Sequence, residues 1–366
     1  MTTGPPVSLW PRTQRCGLSH GWEGAAWVSL QCLKERPASS RGRGFARALD
    51  RRLRQVPFNG YNHSSLFSGS SARPLVGVLA ARRDPEFKAL LPGLMRDWRA
   101  SLERCRETDL MFGAAGALLA CCEIESAVPG SAQIDIVERL KAAAQAAASA
   151  ELTRLSRKQP VALGLAHGLA GYLLALEAAQ TVFGRSLSAS RRAALIDALA
   201  AERREGQGGT AVWPDQSSGE NFYIHGWCHG GPGIGLALLT GFALTGQKAY
   251  WQLARMALEG AARISNEAET FCCGSTGRAQ ILIEAYRVTG DHGWLKKAFA
   301  VADEKRLGVR PKQVHRAIRD GVFVEVPVGQ LIRTFHKGRL GRLYLERRLA
   351  DPTLPLPGLG PLSCSA

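Results

Sequence analysis

Two short stretches of the chain combine cysteine with a glycine turn. The first reads Trp227-Cys228-His229-Gly230, and the second, 44 residues later, reads Phe271-Cys272-Cys273-Gly274. Cysteine binds soft cations such as zinc as the thiolate. An apolar helix is predicted to start after each turn, and a helix start favours negative charge and lowers a thiol's pKa. Together the stretches offer three sulfur ligands and leave one coordination position open.

The glycine turns recur along most of the chain, as a glycine, two residues, and then a glycine or another small residue. Six copies begin at Gly69, Gly113, Gly168, Gly230, Gly274 and Gly338. The intervals between them, 44 to 64 residues, each hold two helices and their turns. Six or seven such hairpins can close into a ring, so the sequence predicts an all-α fold, an α/α toroid of six to seven helical hairpins whose glycine turns gather on one face.

The helix limits follow from apolar spacing. After Gly168 we expect an inner helix over 172–179 and an outer helix over 189–202, capped by Ser188. After Gly230 the corresponding pair is predicted over 234–244 and 248–264. Val322–Val326 is the clear strand-like segment.

Composition then sets the domain bounds. Residues 1–55 are rich in proline, glycine and arginine and are predicted to be irregular or partly helical, 56–356 form the toroid, and 357–366 are a tail. Nine cysteines are too few for a disulfide framework, and neither a signal peptide nor a bilayer-spanning apolar run is visible. We therefore expect a cytoplasmic protein without membrane insertion.

The chain is basic, with a formal net charge of +16. Such a charge favours acidic partners, among them an acidic peptide, nucleic acid or an anionic lipid surface, and does not choose between them.

A cysteine is often only a small buried residue in a crowded turn, and this alternative applies to Cys228, Cys272 and Cys273. Against it, both motifs occupy equivalent positions of adjacent repeats, which a ring brings side by side. We therefore predict that these three residues bind a metal ion. His225 and His229 flank Cys228 and are alternative ligands or acid–base groups, with His229 favoured because it lies within the turn.

A second group of residues suits proton transfer. His167 precedes the third glycine turn and Asp109 lies four residues before the second, so both should face the mouth of the ring. Histidine titrates near neutral pH, and a carboxylate can orient it. The alternative is a capping aspartate and a histidine bonded to backbone.

The motifs around Cys228, Cys272 and His167 resemble those of the lanthionine synthetase C-like cyclase family, over about residues 64–357. In most members of the family the corresponding motif is Cys-His-Gly. Here it is Cys272-Cys273-Gly274, which is similar to the variant found in the cyclase domain of class II fused lanthipeptide synthetases. Two departures are Ala72, in place of a second glycine, and Ile224, where stand-alone cyclases often have arginine.

The resemblance implies a Zn²⁺ ion held by Cys228, Cys272 and Cys273, and an enzyme that adds peptide cysteine thiols to dehydroalanine or dehydrobutyrine to form thioether rings. By the same resemblance His167 protonates the enolate, with Asp109 beside it, and His229 is a further catalytic candidate. The expected partners are a dehydrated precursor peptide with an acidic leader and a separate dehydratase, because residues 1–55 do not resemble one. Nucleic acid is not an expected partner.

Three other functions stay open. The first is a relative that adds glutathione or another thiol to dehydrated residues, and the second is a zinc-binding scaffold without catalysis. The third is a toroidal glycosidase, which would use paired carboxylates, whereas Asp109 is the lone acid in these turns.

Overall fold

The computed structural model describes residues 17–32, 40–55, 63–104, 106–184, 187–217, 225–263, 269–303, 314–319, 322–327 and 334–359. Ile224, residues 1–16 of the predicted N-terminal segment and residues 360–366 of the predicted tail lie outside these ranges. Within them, no helix has both the length and the apolar character needed to cross a bilayer.

The described chain forms a helical toroid, so the predicted all-α fold is confirmed. A short helix, α1 (Gly17–His20), precedes the first inner helix. In the described part of the chain the inner helices number seven: α2 (Trp22–Cys32), α4 (Ala72–Arg83), α6 (Ala114–Ala127), α8 (Leu169–Phe183), α10 (Gly231–Thr245), α12 (Ser275–Thr289) and α14 (Arg339–Ala350).

Outer helices alternate with them: α3 (Ser40–Gln55), α5 (Leu91–Leu102), α7 (Ile134–Ser156), α9 (Ala189–Ala201), α11 (Lys248–Arg263) and α13 (His292–Ala302). Two antiparallel hairpins complete the described elements: β1 (Arg204–Glu205) with β2 (Ala211–Val212), and β3 (Val314–Arg319) with β4 (Val322–Pro327). Short 3₁₀ turns span Pro85–Leu90 and Gln207–Gly209.

The difference between inner and outer helices follows from their sequences. Helix α6 has small or apolar residues on nearly all sides, and every residue from Ala114 to Ile124 is buried, including one carboxyl side chain, Glu123. Helix α7 is buried only along one stripe of small and apolar residues, namely Ile136, Val137, Leu140, Ala144 and Ala148. A helix that is apolar all round must lie inside, whereas an amphipathic one covers it.

The ring closes through its first and last inner helices. Each inner helix contacts the next in chain order, and α14 contacts α2. The turns before the inner helices are joined in the same order by backbone hydrogen bonds. In these bonds Ala166 N–H donates to Cys228 O (2.9 Å), Cys228 N–H to Cys272 O (3.2 Å) and Cys272 N–H to His336 O (3.0 Å).

This belt continues across the closure. The N–H of His336 donates to Ser19 O (3.1 Å), and Ser19 N–H donates to Phe67 O (2.8 Å). Ser19 lies in α1, and Gly21, between α1 and α2, forms with Gly24, in the first turn of α2, a seventh glycine pair beyond the six predicted. The predicted domain bounds at 55 and 56 stay a prediction, but residues 17–32 pack within the ring.

Several local predictions are confirmed. The inner helix predicted after Gly168 is present as α8, which is longer than expected at both ends. The outer helix is present as α9, which ends one residue earlier than expected. The Ser188 hydroxyl accepts a hydrogen bond from Arg191 N–H, as an N-cap does. The strand predicted over Val322–Val326 is β4.

Candidate metal centre

The turn before each inner helix has the same construction. A small residue in the first turn of the helix lies against the carbonyl oxygen six residues earlier, as Gly233 does at Trp227 and Gly277 at Phe271. A Cβ atom at either glycine would clash with that carbonyl, which is why the second glycine of the pattern recurs. Because the construction repeats, residues at equivalent positions of successive turns lie at the same level of the ring.

The residue just before the first glycine therefore occupies an equivalent position in successive turns. In successive turns it is Phe112, His167, His229, Cys273 and Lys337. Ring contacts follow this order, with centroids 5.1 Å apart between Phe112 and His167 and 5.7 Å apart between His167 and His229. The turns thus bring residues that are distant in sequence into one arc.

The three predicted cysteine ligands meet in this arc. Their sulfur atoms all lie within 4.8 Å of one another. The Sγ of Cys273 is 3.3 Å from that of Cys228 and 3.3 Å from that of Cys272. Cys228 and Cys272 are only 5% and 6% exposed, whereas Cys273 is partly exposed, so solvent reaches the cluster from the side of Cys273.

This geometry fits a thiolate-bound zinc ion. Tetrahedral coordination with Zn–S bonds of about 2.3 Å places sulfurs roughly 3.8 Å apart, which is close to the 3.3 Å separations seen here and within the 4.8 Å spread of the three sulfurs. Three cysteine sulfurs without a fourth protein ligand are the donor set of a site that keeps one position open. A metal ion can therefore be held by Cys228, Cys272 and Cys273 with small adjustments of their side chains.

Without a metal, the sulfurs cannot all carry charge at this spacing. Hydrogen bonds from the neighbouring Cys228 and Cys272 thiols lower the pKa of Cys273 well below its ordinary value, and the nearby Lys337 lowers it further. Hydrogen bonds with Cys272 and Cys273, together with burial, raise the pKa of Cys228 well above its ordinary value. Cys273 is therefore the thiol of the three that ionises most readily, and a divalent cation would share its charge among all three.

His167 and Asp109 form the first of two histidine–carboxylate pairs. Asp109 Oδ2 lies 2.9 Å from His167 Nδ1. Its other oxygen, Oδ1, accepts the backbone N–H of Phe112 at 2.6 Å, which fixes the carboxylate in the turn. Both side chains are partly exposed, so the pair faces solvent at the mouth of the ring.

His229 forms the second pair, with Asp215. His229 Nδ1 contacts an Asp215 carboxylate oxygen, and both side chains are partly exposed. This contact lowers the pKa of Asp215 and keeps it ionised. Asp215 follows β2 and the buried Trp213, and no sequence pattern singled it out.

A known protein family matches most of this chain, including the candidate site. The sequence profile of the family described as "Lanthionine synthetase C-like protein" matches residues 12–305. The chain belongs to the lanthionine synthetase C-like family. The match includes all three cysteines, both histidine–carboxylate pairs and the turn at Gly21, whereas Lys337 lies beyond its end.

A structural comparison agrees on the fold. The solved structure of "Nisin cyclase" superposes with a TM-score of 0.67 over 95% of this chain and 91% of that chain, at 17% sequence identity. At this identity the likeness establishes the toroid alone. Comparison with curated protein sequences gave no match.

The structure thus brings together the cysteines that the sequence proposed as ligands, and it places His167 beside Asp109. It pairs His229 with Asp215 instead of with the sulfurs. His225, the alternative ligand, is not part of the three-residue cluster found among the described residues. The identity of the bound ion and the catalytic roles of His167, Asp109 and His229 stay predictions.

Proposed function

We propose that this member of the lanthionine synthetase C-like family is a zinc-dependent lanthipeptide cyclase. It would add a peptide cysteine thiol to dehydroalanine or dehydrobutyrine in the same peptide, forming lanthionine or methyllanthionine. The observation that carries the proposal is the cluster of three cysteine sulfurs within 4.8 Å, next to two histidine–carboxylate pairs. The relative named nisin cyclase supports cyclisation as the reaction class.

The chemistry requires a nucleophilic sulfur. When bound by Cys228, Cys272 and Cys273, zinc would supply Lewis acidity that lowers the pKa of a thiol at its open position. Three cysteine thiolates place more negative charge at the site than two with an imidazole, which keeps a bound sulfur more nucleophilic.

The chain's own residues would carry out the two proton transfers of the reaction. The reaction forms one bond between sulfur and the β carbon of the dehydrated residue, and one bond between a proton and the α carbon. His167 would deliver that proton to the α carbon, with Asp109 holding the imidazole so that Nε2 faces the substrate. His229, oriented by Asp215, would accept the proton released from the thiol, so the number of protons is conserved overall.

The substrate we propose is a peptide dehydrated beforehand by a separate dehydratase. Helix α3 offers a place for an acidic leader segment, because Arg43, Arg47, Arg51 and Arg54 recur at three- and four-residue spacing and are exposed. Attraction of this kind weakens steeply with salt. Precursor binding that is insensitive to salt would contradict the acidic-leader part of the proposal.

The test uses a peptide that contains one dehydroalanine and one cysteine. Cyclisation leaves its mass unchanged, so the product is distinguished by its failure to react with N-ethylmaleimide. We expect enzyme-dependent loss of the free thiol, abolished by zinc removal. In a parallel reaction that contains glutathione, an increase in peptide mass from its addition would instead identify a glutathione-adding relative. Metal binding without any thiol addition would identify a scaffold.

A further inference from the structure

Lys337 occupies the same position of its turn as Cys273, His229 and His167 do in theirs, directly before the first glycine. Its ammonium nitrogen lies 3.1 Å from Cys273 Sγ. The lysine is neither a metal ligand nor one of the acid–base residues described above, yet the ring places it against the sulfur cluster.

The backbone around Lys337 is held on both sides. The carbonyl of His336 accepts a hydrogen bond from Cys272 N–H (3.0 Å), while the N–H of His336 donates to Ser19 O (3.1 Å). The buried imidazole of His336 is 2.9 Å from Ser19 Oγ and stacks on Phe271, with ring centroids 4.8 Å apart. These contacts hold the backbone next to Lys337 beside Cys272, and the lysine side chain reaches Cys273 from there.

The charge of the proposed metal centre gives this contact a role. Three thiolates and a divalent cation carry a net charge of about −1, and a substrate thiolate at the fourth position makes it about −2. One adjacent ammonium group returns the total to about −1, which is the charge of a centre with two cysteines, one neutral imidazole and a bound thiolate. Lys337 thus offsets the extra charge that a third cysteine brings.

We propose that Lys337 is a positioning residue of the metal centre, which orients Cys273 through an N–H···S hydrogen bond and stabilises the centre when a substrate thiol binds. The inference rests on the proposed metal centre. It predicts that Lys337 strengthens binding of the thiol more than it strengthens binding of the metal alone, since the centre gains negative charge when the thiol arrives. Outer groups that hydrogen-bond to ligands are known to tune metal sites in this way.

The test uses the full chain loaded with cobalt(II), whose absorption reports on thiolate ligands, and β-mercaptoethanol as the added thiol. Four variants are compared with the wild-type chain: Lys337→Met, Lys337→Gln, Lys337→Arg and Arg339→Met. The last is the matched control, because Arg339 is an exposed cation two residues away. Two readouts are taken: the dissociation constant of β-mercaptoethanol and the energy of the sulfur-to-cobalt charge-transfer band.

We expect the methionine and glutamine variants to bind β-mercaptoethanol roughly tenfold more weakly, the scale of a lost hydrogen bond to a charged group. Their charge-transfer band should move to lower energy, because the Cys273 sulfur loses its charged donor. Lys337→Arg should restore most of both properties, and Arg339→Met should leave both unchanged. If Lys337→Met does not fold, Lys337→Gln carries the same expectation with a polar side chain.

Unchanged thiol affinity and an unchanged band in the neutral Lys337 variants would overturn the inference while leaving the metal centre intact. An equal loss in Arg339→Met would also overturn it, because the effect would then be a general one of surface charge. A wild-type chain that binds no cobalt would remove the metal centre itself, and this inference with it.

Discussion

Asp109 offers a substitution that separates catalysis from folding. Its Oδ1 accepts the backbone N–H of Phe112, and its Oδ2 faces His167 Nδ1. Replacing it with asparagine keeps an oxygen for Phe112 and puts an uncharged amide opposite the imidazole. Replacing it with alanine removes both contacts.

The expected magnitude follows from these two contacts. A hydrogen bond to a charged group contributes about 1.5–3 kcal/mol, and 1.36 kcal/mol corresponds to a tenfold change in rate. His167 and Asp109 are 29% and 20% exposed, so solvent screening places the loss toward the lower end. We expect Asp109→Asn to slow cyclisation about tenfold with little change in stability, and Asp109→Ala to lose about 1 kcal/mol of stability as well, because the Phe112 contact is lost.

The assay measures the rate at which the free thiol of a peptide with one dehydroalanine and one cysteine disappears, by trapping with N-ethylmaleimide and mass spectrometry. Thermal denaturation of the same samples reports stability, and zinc content shows that the metal centre is intact. A wild-type rate in Asp109→Asn would refute the role assigned to this carboxylate. So would a loss of rate in both variants that follows only their loss of folded protein.

Three further outcomes are expected. Chelation should lower the thermal stability, since a metal present at 100 times its dissociation constant stabilises a protein by about 2.7 kcal/mol; equal melting temperatures with and without chelator would contradict this. Asp215→Asn should slow cyclisation without releasing the metal, because Asp215 contacts His229 and is not among the cluster's cysteines; loss of metal in this variant would contradict the assignment. Burial raises the pKa of Glu177 well above its ordinary value despite nearby Arg192. In the unfolded chain Glu177 ionises at a lower pH than in the folded chain, so the free energy of unfolding decreases as pH rises above the ordinary carboxyl range. Glu177→Gln should therefore stabilise the chain more at pH 8 than at pH 5, measured by thermal denaturation. An equal difference in melting temperature between variant and wild type at both pH values would contradict this prediction.

The ring and its sulfur cluster could be predicted from sequence because each rests on a local pattern. Glycine is required wherever a helix start touches the carbonyl six residues earlier, so Gly233 and Gly277 record a contact in the sequence itself. Helices α8 and α9 follow from apolar spacing and the Ser188 cap. Cys228 and Cys272 occupy equivalent positions in adjacent repeats, and the ring then brings them together.

Other parts of the site depend on contacts that leave no local pattern. Asp215 reaches His229 from the loop after β2, outside the glycine-turn pattern that singles out the histidine. The turn at Gly21 lies in a segment whose overall composition predicts irregular structure, so its glycine pair does not stand out as a repeat. Lys337 lies in the turn before Gly338, and the packing of α14 beside α12 places its ammonium group beside Cys273.

The central claim is that three sulfurs from two neighbouring turns hold one zinc ion. Zinc content per chain, measured by mass spectrometry of purified protein, tests it most directly in the wild-type chain, in Cys273→Ala and in Cys121→Ala, a control that removes a buried cysteine of helix α6 away from the cluster. We expect one zinc ion per chain in the wild type and in Cys121→Ala, and a large loss in Cys273→Ala. Negligible zinc in all three, or equal zinc in all three, would contradict the account.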